Sequence, residues 1–128
     1  MDQVNNLGQG EIVFHQLPEG AICFERAPAK KNQVEYVTAG EYARCLIAAI
    51  RCQDSICCAH RYLTPRRLVI DGAEYFDGKD ETQKELGKLL KQRVSNGKDT
   101  VIISSLGIEH LAGAIDDELM PYLTTENT

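Results

Sequence analysis

The chain has 128 residues, enough for one domain with a buried core and too few for two. Its 43% hydrophobic and 26% charged residues describe an ordinary globular protein, and a net charge of -5 excludes bulk electrostatic attraction to DNA or to an anionic membrane. No apolar run approaches the roughly 20 residues that cross a bilayer. Residues 1–10 are polar and lack the apolar stretch of a secretory signal. The five cysteines are an odd number in a chain that can build a core without staples, so reduced thiols and a cytoplasmic location are expected.

Taken in chain order, residues 1–10 read as a flexible N-terminus and 11–128 as a single domain. Two short apolar runs, Glu11–Leu17 and Ala21–Arg26, flank the turn signal Pro18-Glu19-Gly20, which predicts a hairpin. Ala27–Asn32 reads as a loop. Val34–Val37, β-branched and aromatic, predicts a strand, and Thr38-Ala39-Gly40-Glu41 has the form of a capping box. The following helix places Tyr42, Cys45, Leu46, Ala49 and Ile50 on one buried face. Ser55–Tyr62 predicts a second short helix, ended before Pro65.

Arg67–Ile70 is a compact apolar strand closing at Asp71. From Asp80 to Ser95 a helical period recurs, with Leu86, Leu89, Leu90 and Val94 on one side. Asp80 with Gln83 gives a second cap signal, and Asn96-Gly97 gives the stop. Thr100–Ser104 is apolar throughout, as a strand covered on both faces would be. Leu106–Leu123 predicts a short helix and an edge strand, with Gly107 and Gly113 as helix boundaries. Strand and helix alternating over short connections imply an α/β fold, with a mostly parallel sheet between helical layers and right-handed crossovers.

Residues 61–105 carry a more specific pattern. Arg61-Tyr62 precedes the apolar strand Leu68–Asp71. Phe76, Gly78-Lys79-Asp80 and Thr82-Gln83-Lys84-Glu85 follow, then a helix and the strand Val101–Ser105. In this order and spacing the segment resembles the ATPase core of the bacterial replication initiator DnaA, and VEYVTAGEYARCLIAAIR upstream is similar to that family's second strand and helix. The resemblance covers about residues 34–118. It implies a three-layer, P-loop NTPase (AAA+)-like domain that is truncated and degenerate.

The departures from the family pattern bear on activity. The phosphate-loop pattern G-x-x-x-x-G-K-[ST] occurs nowhere in the chain, and Lys30-Lys31 lacks the glycines that let backbone amides surround a phosphate. Asp71 stands at the family's magnesium-binding position, but the next residue, acidic in the family, is Gly72. Glu74 is displaced by two positions. Leu106 replaces the polar sensor after Ser104-Ser105, and Ile115–Leu123 contains no arginine to reach a neighbouring nucleotide. Phosphoryl transfer depends on positioning and charge neutralisation, so Asp71 is expected to be vestigial and the chain to be no enzyme, with no nucleotide or other cofactor. The chain ends where the family continues into a helical lid and a helix-turn-helix domain, so sequence-specific DNA reading is not expected.

Lys84, Lys88 and Lys91 form a basic stripe on the second long helix. With Lys79 and with Arg66-Arg67 they are the candidate contacts for nucleic acid or an acidic partner. Glu81 and Glu85 lie among these lysines, and a solvated, paired surface is the plainer reading. Cys52, Cys57, Cys58 and His60 have metal-ligand chemistry, but adjacent cysteines suit one tetrahedral centre poorly and no second half follows, so no metal is expected. Cys23 and Cys45 read as core residues, and His15 and His110 belong to no nucleophile pattern. The expectation is a DnaA-like interaction or regulatory protein that docks on another protein of the replication machinery, with no membrane contact. The alternatives are a small nucleic-acid-binding module using Lys79, Lys84, Lys88 and Lys91, and a relic without a preserved role.

Overall fold

Four parallel pairings generate the sheet. In the computed structural model, which describes residues 10–16, 34–52 and 61–127 (the side chains of 49–52, 126 and 127 aside), β1 (Ile12–Gln16) lies between β4 (Asp99–Ser104) and β5 (Leu123–Asn127). β2 (Val34–Thr38) pairs with β3 (Arg67–Asp71), and β3 with β4. The strand order is β2-β3-β4-β1-β5, five parallel strands.

Because side chains alternate along a strand, in-register neighbours form rows across the sheet. Val37, Ile70, Ile102 and Phe14 make one row facing the main core, while Tyr36, Val69, Val101 and Val13 make a row on the opposite face. Helix α1 (Ala39–Cys52) and helix α2 (Asp80–Ser95) both pack on the first face. Tyr42 of α1 stands edge-on to Tyr62 at 5.2 Å and to Phe76 at 6.0 Å between ring centres. Contacts of this kind add about 0.5–1.5 kcal/mol each beyond the area they bury.

The local signals account for most element ends. Glu11 and Lys98 run into β1 and β4, and α1 starts on the expected capping box: Glu41 N donates to Thr38 Oγ1 at 3.1 Å, and Thr38 N donates to Glu41 Oε1 at 3.1 Å. The Thr38 amide, and the Thr38 hydroxyl donating to the same Oε1 at 3.2 Å, hold the Glu41 carboxyl below its ordinary value. Tyr42 is buried, and Cys45 and Leu46 pack partly buried against the core. Leu86, Leu89, Leu90 and Val94 of α2 are buried as the period requires, and Gly97 ends the helix at φ 74. Residues 61–63 are helical, while the rest of the expected Ser55–Tyr62 helix lies outside the described residues.

Three expectations need correction. The hairpin fails because β1 has parallel partners on both edges, which leaves no free edge for Ala21–Arg26, itself outside the described residues. Asp80-Gln83 is not a cap: Lys79 precedes the helix without a side-chain cap bond, and Gln83 turns inward. The helix expected within Leu106–Leu123 is two short 3-10 turns, Ile108–Leu111 and Met120–Tyr122, before the edge strand β5. Gly107 does precede the first of these turns. The loose end expected at 1–10 and the loop at Ala27–Asn32 lie outside the described residues, Gly10 excepted.

One buried cation holds the amino end of the sheet. Arg93 is 0% exposed. Its Nε donates to Thr100 Oγ1 at 2.8 Å, Nη1 to the carbonyls of Tyr62 at 2.8 Å and Pro65 at 3.0 Å, and Nη2 to those of Asp99 at 2.6 Å and Arg66 at 3.3 Å. Every N–H of the guanidinium is thereby used. Burial pushes its pKa down to about 10, against a smaller upward pull from Asp99, so it stays charged at neutral pH. Gly10 closes over the same region, where its amide donates to Val94 O at 2.9 Å and an added Cβ would lie 1.8 Å from Lys98 O.

Replacing Arg93 with leucine orphans several carbonyls at about 1–3 kcal/mol each where water cannot reach them. Arg93→Leu is therefore expected to lower the unfolding free energy by about 3 kcal/mol or more. A urea titration should show this as a lower midpoint with an unchanged slope, and a midpoint within error of the parent would refute the structural role.

Candidate functional site

In open parallel sheets ligands bind outside the carboxyl ends of the strands. Here that rim is made, among the described residues, by the ends of β1, β3 and β4 with the loops that follow β3 and β4. Asp71, the last residue of β3, is half-buried and projects on the same face as Tyr36, whose hydroxyl donates a hydrogen bond to Asp71 Oδ2. Asp71, Ile103 and His15 share one row across β3, β4 and β1.

Gly72 follows in the left-handed region, φ 78 and ψ 37, and opens the 3-10 turn Ala73–Phe76. A glycine is used here because the chain must reverse at the strand end, a conformation other residues reach only with strain. Glu74 is exposed, yet its Oε1 accepts from Ser105 N at 3.0 Å, so it reaches the end of β4 despite its displacement in sequence. Its other oxygen lies 3.8 Å from where a Cβ on Gly72 would stand. Ser104 Oγ accepts from Leu106 N at 3.0 Å, which folds the post-β4 loop over the strand end.

Sequence reading missed the two residues that organise this rim, Gln83 and His110. Gln83 is 4% exposed, donates Nε2 to Phe76 O at 2.7 Å and His110 O at 3.0 Å, and accepts Gly113 N on Oε1 at 2.9 Å. His110 Nδ1 faces Asp77 Oδ1 at 3.0 Å, and its Nε2 lies 3.8 Å from Glu109. The available signal for Gln83 was its place on the apolar face of α2, one turn before Leu86 and Gly87.

The basic candidates do not converge. Arg66 and Arg67 are exposed at the amino end of β3, at the opposite end of the sheet from Asp71. Lys79 stands at the start of α2 with Nζ 4.5 Å above the ring of Tyr75, which is 45% exposed. Lys84 points outward, and Lys88 pairs with Glu85 at 3.1 Å. Lys91 bridges Asp116 at 2.8 Å and Glu118 at 3.0 Å, contacts that raise its pKa and lower that of Asp116. The stripe is thus partly neutralised by its own neighbours. Among the described residues no cluster of metal-ligating side chains occurs and no helix is long and apolar enough to cross a membrane. Cys57, Cys58 and His60, the side chain of Cys52, Cys23, and the stretch 17–33 between β1 and β2 lie outside the described residues.

The model of the bacterial DnaA ATPase domain matches residues 16–125. The chain belongs to that family. AMPPCP-bound DnaA from Aquifex aeolicus superposes with a TM-score of 0.71 at 18% identity, over 97% of this chain and 43% of that one. Domain III of the Thermotoga maritima replication initiation protein DnaA gives 0.70 at 17%, over 97% and 57%. A replication initiator DnaA bound to AMPPCP and single-stranded DNA gives 0.68 at 16%, over 97% and 43%. The fold is therefore the AAA+ fold of DnaA domain III, and the chain spans well under two thirds of the length of each of these structures. Among curated proteins none matches.

The geometry at position 72 makes a direct test. Placing an acid there forces a Cβ into the left-handed region, so Gly72→Glu is expected to lower stability by about 1–2 kcal/mol. A thermal melt that leaves the transition unchanged would contradict the backbone assignment.

Proposed function

We propose that this DnaA-family chain is a non-catalytic, pseudo-ATPase factor that regulates replication initiation by docking on another replication protein. The observation that carries the reading is the state of Asp71. Its carboxylate already receives the Tyr36 hydroxyl, and the next position is a left-handed glycine with no group to orient a water. Glu74, the nearest substitute, is engaged by the Ser105 amide, and the post-β4 loop presents Leu106. These groups match a magnesium-bound nucleotide poorly, because hydrolysis requires carboxylates free to hold a metal and position a nucleophile. A domain that keeps the family's packing without that chemistry retains only its surfaces to act with.

Titrating the purified chain with labelled ATP and Mg²⁺ is expected to give no saturable micromolar binding. Adding it to full-length initiator DnaA with ATP is expected to reduce initiator assembly on DNA. Saturable nucleotide binding, or assembly that proceeds at the same rate and extent, would end this reading.

A second reading rests on Tyr75 with Lys79. An exposed ring beside a lysine is the pairing on which a base stacks while its phosphate is neutralised, and one of the superposed initiators carries single-stranded DNA. If this chain binds single strands there, the affinity for an oligothymidine should drop steeply between about 50 and 200 mM salt. Tyr75→Ala should then weaken binding by about 1–3 kcal/mol, measured by fluorescence anisotropy. Binding unchanged in Tyr75→Ala would exclude the site.

A further inference from the structure

Side chains at three depths join the loop after β3, residues 72–79, to the loop after β4, residues 105–114. Deepest is the Gln83 carboxamide, whose two N–H groups serve Phe76 O of the first loop and His110 O of the second, and whose oxygen takes Gly113 N. A carboxamide is the one side-chain group that offers two donors and an acceptor in this compact, uncharged form. Nearer the strand ends Glu74 Oε1 takes Ser105 N, and at the surface Asp77 faces His110. The backbone is shaped around this seam: a Cβ on Gly113 would lie 2.8 Å from Gln83 Oε1, and one on Gly87 would lie 2.7 Å from Ala114 O.

From this geometry we infer that Gln83 locks the two rim loops into one conformational unit, so that a partner engaging either loop changes the other. Each bridge crosses from one loop to the other or runs through α2, so neither loop can shift without breaking contacts made by its neighbour. The device does not depend on whether the chain handles nucleotide, and it gives a docked protein or strand at Tyr75 a path to the loop beyond β4.

Amide hydrogen exchange on the whole chain tests it. The readouts are the amides of Asp77 and Lys79 in the first loop and of His110, Ala114 and Ile115 around the second, all bonded to backbone carbonyls rather than to the altered side chains. Gln83→Glu keeps the size of the side chain but loses both donors. It is expected to speed exchange by roughly tenfold in both sets together, with β3 and β4 amides unchanged. Should that variant lose protection everywhere, Asp77→Ala decides. It removes a surface contact only, and it should accelerate His110, Ala114 and Ile115 as well as its own loop. A response confined to the loop that carries the substitution, or no response in either, overturns the coupling.

Discussion

A positive charge withdrawn from the solvent-exposed surface sets the geometry of this domain. Arg93 is held almost wholly by neutral groups: four backbone carbonyls and a threonine hydroxyl, drawn from the turn before β3, the end of that turn and the start of β4. Burying a guanidinium is costly unless each N–H finds an acceptor. The arrangement is therefore demanding in two directions: the arginine needs those carbonyls in place, and each of them loses a charged donor without it, Arg66 O keeping only the Asp99 amide at 2.9 Å. The result fixes the relative height of β3 and β4, and with it the register that brings Asp71 level with Ile103.

Helix α2 transmits this constraint to the functional end. Gln83 and Arg93 lie ten residues apart on one buried side of the helix, a rise of about 15 Å. A five-residue strand such as β3 spans about 17 Å. The helix thus acts as a splint of matching length, with one polar anchor at the amino end of the strands and another at their carboxyl end. Apolar packing by Leu86, Leu89, Leu90 and Val94 fills the interval. Packing of that kind is tolerant of small slides, whereas the two anchors are not, because hydrogen bonds weaken steeply once their geometry is lost.

Period and capping made the framework legible in the sequence. VEYVT, RLVID and DTVIIS are apolar enough for strands in a covered parallel sheet, and Thr38 with Glu41 marks the start of α1 by a mechanism that acts within four residues. What escaped was non-local. Gln83 stands three residues after Asp80 and therefore mimics a capping partner, but its real acceptors are seven and twenty-seven residues away. Arg93 falls on the apolar face between Leu89, Leu90 and Val94, and a charge in that position was the sign of a buried polar anchor. The N-terminal hairpin was wrong for the same kind of reason: a turn signal says where a chain can reverse, and says nothing of which strand edges remain free.

The residues that follow Asp71 form one interdependent loop. Gly72 is glycine because the backbone turns left-handed there; that turn brings Glu74 round to the Ser105 amide, and the Glu74 carboxylate comes to lie beside the space a residue-72 side chain would enter. The three features depend on one another, so an acid placed at position 72 would meet both a strained backbone and a like charge. The rim reinforces this electrostatically. Asp71 and Glu74 already stand within four residues of each other, so an acid at position 72 would add a third like charge to one short segment.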